Sequence, residues 1–215
     1  SAVYIDGGGE PIFAWLHRNA GNRELDYGVV ICPPIGYEQV HSHRTLRHLA
    51  DELALASIPT LRFDWHGTGD SPGSDEDPHR YRTWLVNARE SVRWMRDELG
   101  CRRIGIVGLR LGAALAALAT LDLEIDGLTL WAPVTRGRQY VRELRAIGLT
   151  AEIPDRRRSS PMTDIEAAGF VLNSETAADL GPLDLSKYRP HAKRVLVVSR
   201  RARPLHRPDS TRVDR

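Results

Sequence analysis

Cysteine is scarce in this chain. Its two thiols in 215 residues, Cys32 and Cys101, form no disulfide framework and have no metal-ligand spacing. A reduced, cytoplasmic setting is therefore expected, and neither a metal nor another cofactor. Long apolar runs are missing too: the longest nearly uncharged stretch, Leu111 to Leu121, is too short to span a bilayer and reads as a buried helix. No basic segment followed by an apolar one opens the sequence, so no secretory signal is expected. The chain also lacks a strong excess of either charge, its net charge being +2. Residues 200–215 hold six arginines and two aspartates, so the remainder nets −2. The basic character belongs to the tail, and nucleic acid is not an expected partner, because a charge run is ordinarily just solvated. With 41% apolar and 27% charged residues, the composition is that of an ordinary globular domain able to bury a sizeable core.

What is present is an alternation of strand and helix. Ala2–Ile5 and Ile12–His17, separated by three glycines, read as a hairpin. Gly28–Cys32 is a buried strand stopped by Pro33 and Pro34. Ser42 is placed to cap a helix whose apolar positions Leu46, Leu49, Ala50, Leu53 and Ala54 recur at helical spacing. Pro59–Asp64 is the next strand, and a loop rich in Gly, Asp and Pro comes after it. Tyr81 to Leu99 carries one apolar stripe, with Arg and Glu opposite. Arg103–Gly108 and Leu128–Ala132 are strands on either side of the small-residue helix. Residues 136–190 break the rhythm: a polar loop around Asp155–Pro161, then helical patterns over Ile165–Leu172 and Glu175–Leu180. Arg194–Ser199 is the last clear strand. Continuous apolar strands alternating with helices predict an α/β fold, with a doubly wound, mostly parallel sheet covered on both faces. The expected division is one domain over residues 1–199, with a small helical cap inserted at 135–190. Residues 200–215, poor in apolar side chains, form a tail expected to be disordered.

The most informative segment runs from Ile104 to Ala114. A strand enters a turn in which Gly108 and Gly112 flank Arg110 at two residues on each side, and a helix of small residues begins at once. That spacing makes a sharp strand-to-helix turn, with the central residue strained and strand and helix in close approach. Three more segments agree in order: Cys32-Pro-Pro-Ile-Gly-Tyr-Glu38 after one strand, Leu61-Arg-Phe-Asp64-Trp-His-Gly67-Thr-Gly69-Asp-Ser71 after another, and Arg194–Ser199 at the end.

Together these resemble the α/β-hydrolase superfamily over roughly residues 2–199. The turn at Arg110 is similar to its nucleophile elbow, Cys32–Glu38 to its oxyanion loop, and Leu61–Ser71 to the loop after its fourth strand. Within it, Gly-Leu-Arg-Leu-Gly-Ala resembles a bacterial branch holding exosortase-associated hydrolases and serine aminopeptidase-like proteins. The resemblance implies hydrolysis of ester or amide bonds, with the backbone N–H of Ile35 or Gly36 and that of Leu111 forming an oxyanion hole.

The departures are as specific as the match. Arginine stands where the superfamily has its serine, and a guanidinium is no acyl nucleophile near neutrality. Where the acid is expected, the sequence reads Ser199-Arg-Arg-Ala-Arg-Pro204. His206 precedes Asp209, which reverses the order nucleophile, acid, histidine. Arg110 has two readings: it grips an anionic ligand, or it pairs with a nearby Asp or Glu. Asp64 and His66 are candidate ligand-binding residues, although Asp64 equally suits a bond to its own loop and His66 a packing role. Gly67 and Gly69 lack the helix and lysine of a phosphate loop, so no nucleotide is expected.

Three functional readings are open. The chain is a hydrolase of esters or amides with a degenerate elbow, or a non-catalytic protein binding a small acyl or carboxylate-bearing ligand, or an incomplete hydrolase gene product. The strand at Val195–Val198 is expected to be an uncovered edge through which the chain forms a homodimer.

Overall fold

The computed structural model describes residues 1–18, 26–150 and 164–199. The expected tail at 200–215, with His206 and Asp209, and the polar loop around Asp155–Pro161 lie outside the described residues. Seven strands form one sheet. In chain order they are β1 (Ala2–Asp6), β2 (Pro11–His17), β3 (Tyr27–Cys32), β4 (Thr60–Phe63), β5 (Arg103–Leu109), β6 (Ile125–Trp131) and, last in the chain, β9 (Ala192–Val198). Their spatial order is β1-β2-β4-β3-β5-β6-β9. The β1–β2 and β2–β4 pairs are antiparallel and all the others parallel. This is the doubly wound α/β sheet with an opening hairpin that the apolar rhythm predicts.

Helices cover the two faces. α1 (Tyr37–Leu55) lays Leu46 and Ala50 on Val29 and Ile31 of β3. On the other face lie α2 (Arg80–Asp97) and the wholly buried α3 (Leu111–Ala119). Trp84, Ala88, Val92 and Met95 of α2 join Ile104, Ile106 and the alanines of α3 in the main core. An all-apolar helix such as α3 is stable only when enclosed, and it sits between β5, β6 and α2.

Between β6 and β9 the chain forms α4 (Gly137–Thr150), a hairpin of β7 (Ile165–Ala167) and β8 (Phe170–Leu172), and α5 (Ser174–Leu180). One expectation is corrected here, and one helix is added within the expected cap. Ile165–Leu172 is not helical: Ala168 and Gly169 have φ of 51° and 84°, the left-handed pair that closes a two-residue hairpin. And α4 is a full helix hidden in the sequence among its arginines, although Tyr140, Val141, Leu144 and Ile147 mark one apolar face.

Ser42 is also reassigned. α1 begins at Tyr37, five residues before it, with Gly36 at the cap position and no side-chain cap. The Ser42 hydroxyl lies inside the helix and donates to the Glu38 carbonyl at 2.7 Å.

Candidate active site

The carboxyl ends of β3, β4, β5 and β6 converge on the turn at Arg110. Its backbone has φ 54° and ψ −118°, a conformation costly for any residue with a Cβ. The turn is held from both sides: the Arg110 N–H donates to the Trp131 carbonyl at 3.0 Å, and the Val134 N–H donates to the Arg110 carbonyl at 3.1 Å. Close packing explains the flanking glycines. A Cβ on Gly108 would overlap the backbone of Ala113, and one on Gly112 would overlap the carbonyls of Cys32 and Pro33. The strained strand-to-helix turn is therefore present, with Arg110 at its tip.

The Arg110 side chain folds into an ion-pair cluster. Nε donates to Glu38 Oε1 at 2.6 Å, and Nη2 donates to Glu143 Oε2 at 3.1 Å. Side-chain exposure is 16% for Arg110 and 11% for Glu38 but 44% for Glu143, so the Glu38 contact is the desolvated one. Burial works to lower the Arg110 pKa, but its bonds to Glu38 and Glu143 outweigh this and hold it above the ordinary arginine value. The second oxygen of Glu38, Oε2, is buried and has no hydrogen-bond partner among the described residues. Of the two readings of Arg110, the geometry realises the pairing with nearby acids. Neither acid stands out in the sequence as its partner: Glu38 comes shortly after the double proline, whereas Glu143 belongs to α4.

Ile35, Gly36 and Leu111 come together. They line a space of about 30 Å³, shared with Tyr140, Phe170 and Leu172, which has room for about two water molecules at most. The N–H groups of Ile35 and Gly36 donate no hydrogen bond among the described residues. That of Leu111 begins α3, where no intrahelical acceptor exists. The β7–β8 hairpin, through Phe170 and Leu172, fills the ground in front of these amides. Tyr140 is buried there, which pushes its phenol pKa up.

Asp64 and His66 do not share one site. Asp64 Oδ2 accepts from the Asp70 N–H at 3.1 Å, and Oδ1 accepts from Gln39 Nε2 at 3.4 Å. Burial raises the pKa of this carboxyl, and Asp64 lines a larger cavity beside the elbow. His66 turns away, with Nε2 at 3.2 Å from Asp77 Oδ2, while its carbonyl accepts from Trp84 Nε1 at 3.0 Å. Its contacts are those of a packed loop residue.

Serine hydroxyls near the elbow are committed elsewhere. That of Ser42 bonds within α1, and Ser71 Oγ accepts from the Phe13 N–H at 2.9 Å while donating to the Asp64 carbonyl at 2.7 Å. Among the described residues no serine hydroxyl is hydrogen-bonded to a histidine, and no cluster of His, Cys, Asp and Glu is placed to hold a metal. Among the same residues no helix is long and apolar enough to cross a membrane.

Residues 29–166 match the profile of the family described as serine aminopeptidase, S33. A comparison with curated proteins gives no match. Among solved structures, the chain is similar to Est1E of Butyrivibrio proteoclasticus in complex with ferulic acid. The TM-score is 0.70 at 23% identity, over 91% of this chain and 77% of that one. It is also similar to XC6422 of Xanthomonas campestris, described as an α/β serine hydrolase without a lid, with a TM-score of 0.54 at 16% identity over 92% and 83% of the two chains. A third likeness is to a putative hydrolase of Agrobacterium vitis, at 0.57 and 16% over 93% and 89%. At these identities the likeness is one of fold.

Proposed function

The chain belongs to the serine aminopeptidase (S33) family of α/β-hydrolases, and from that premise we propose that it is a member without Ser-triad chemistry, which binds a small acyl or carboxylate-bearing ligand instead of cleaving it. The observation that carries this reading is the guanidinium of Arg110, seated where the family's nucleophile belongs and held by Glu38 and Glu143. An arginine so paired neither attacks a carbonyl nor accepts a proton. The amides of Ile35, Gly36 and Leu111 keep the donors of an oxyanion hole, but an oxyanion hole without a nucleophile and base supports only weak hydrolysis, on the order of 10³-fold over water. Because Arg110 already has two carboxylate partners, a ligand's anionic group is not its natural third.

The test is hydrolysis of activated short-chain esters by the wild type and by Arg110→Ser, with and without a serine-reactive phosphonate. Neither protein is expected to show phosphonate-sensitive turnover, since Arg110→Ser supplies only a hydroxyl and no histidine is hydrogen-bonded to a serine hydroxyl among the described residues. Saturable turnover in the wild type that the phosphonate abolishes would overturn the reading.

A further inference from the structure

A cavity of about 910 Å³ opens beside the elbow, between the N-terminal half of α1, the loop after β4 and the tip of the β7–β8 hairpin. Its floor is a row across three strands, because Trp15 of β2 and Ile31 of β3 are both register partners of Arg62 in β4. Val40, Phe63 and Phe170 add apolar wall. Arg62 on this floor is held differently from the two buried or half-buried arginines nearby. Arg110 bonds two carboxylates, and Arg80, which also lines the cavity, gives its Nη2 to the carbonyls of Asp75 and Val171 while its buried Nε has no partner among the described residues. Arg62 commits only Nε, which donates to His17 Nε2 at 3.0 Å, while His17 Nδ1 lies 2.7 Å from Asp51 Oδ1. Accepting at Nε2 and donating from Nδ1 requires a neutral His17, and burial indeed lowers its pKa.

The Arg62 guanidinium is therefore oriented from behind, while neither of its Nη groups donates a hydrogen bond among the described residues. A planar pair of N–H groups turned toward a cavity fits a carboxylate bidentately. Arg44 stands on the exposed rim of the same cavity and makes no ion pair among the described residues. Asp64, the nearby acid, turns its oxygens to Asp70 and Gln39 and not to Arg62. Asp64, Asp70 and Asp75 share the lining and Asp51 lies behind His17, so the floor suits a single negative charge better than a dianion. The walls ask for a hydrocarbon body.

We propose that this cavity binds an apolar monocarboxylate, its carboxylate held by the Nη groups of Arg62 and its charge favoured by Arg44 at the mouth. The proposal rests on the binding reading above and names the ligand's class and its anchor. Octanoate and its uncharged counterpart octanamide are the probes, measured by equilibrium dialysis against the full 215-residue chain. Octanoate is expected to bind about thirtyfold more tightly than octanamide, and Arg62→Gln to remove that preference while changing octanamide binding by less than about twofold. Equal binding of the two probes, no octanoate binding at millimolar concentration, or a preference that survives Arg62→Gln overturns the proposal. Should Arg62→Gln fail to fold, Arg44→Glu on the exposed rim decides. It is expected to weaken octanoate by about fivefold, and an unchanged affinity overturns the proposal. Failure of the binding reading itself would show as phosphonate-sensitive ester turnover, which is a separate readout from octanoate affinity.

Discussion

At Arg110 the backbone and the side chain pull in opposite directions. The turn imposes a φ of 54° that costs on the order of 1–3 kcal/mol for a residue with a Cβ. The guanidinium, in turn, neutralises Glu38, whose side chain is only 11% exposed. Removing the arginine leaves that carboxylate buried and unpaired, so Arg110→Ala is expected to lose about 3 kcal/mol of stability. Arg110→Gly loses the same ion pair but frees the backbone, and should lose about 1 kcal/mol less. Adding Glu38→Ala to Arg110→Ala should recover part of the loss. Urea unfolding of the three variants measures this, and an Arg110→Ala protein as stable as the wild type would show that the cluster contributes nothing to the fold.

Helix starts separate local signals from their structural use. Ser42 has the residue type of a cap and the right position before an apolar stripe, yet α1 continues back to Tyr37 and the hydroxyl bonds to the Glu38 carbonyl one turn earlier. Ser42→Ala is accordingly expected to change stability by less than about 0.5 kcal/mol, since such a back-bond adds little to a helix. Asn173 is a working cap. Its side chain accepts from the Glu175 N–H at 2.9 Å and the Thr176 N–H at 3.4 Å, starting α5. Asn173→Ala should cost about 1 kcal/mol, measured in the same unfolding series. The contrast lies in the chain that precedes each residue. Backward extension of α5 is blocked because β8 ends at Leu172, whereas residues 37–41, past the double proline, are free to join α1.

Among the described residues, the sheet ends at β9 with its side chains in the open. Val195, Leu196, Val197 and Val198 are 40–58% exposed. An exposed apolar edge strand offers unpaired backbone groups to another chain. The 215-residue protein is therefore expected to form a dimer through β9, with a light-scattering mass that rises with concentration. The paired substitution Leu196→Lys and Val197→Lys, which charges both faces of the edge, should hold it as a monomer. A wild-type mass of one chain at all concentrations would refute this.

By itself the sequence determined the order of strands and helices outside residues 136–190, the strand-to-helix turn and the identity of the residue at its tip. Those signals are local: apolar runs, helical periodicity and glycine spacing act within about ten residues of chain. It did not determine what Arg110 pairs with, because Glu38 and Glu143 lie 72 and 33 residues away in the chain. Nor did it reveal that β7 and β8 fill the ground before Ile35, Gly36 and Leu111, since a short apolar run such as Ile165–Leu172 suits helix or hairpin equally until its neighbours are fixed. The row Trp15–Arg62–Ile31 is likewise a product of strand register alone. Only the tertiary structure decided that this arginine would meet a histidine behind it and a cavity in front, because register brings together residues that no local pattern connects.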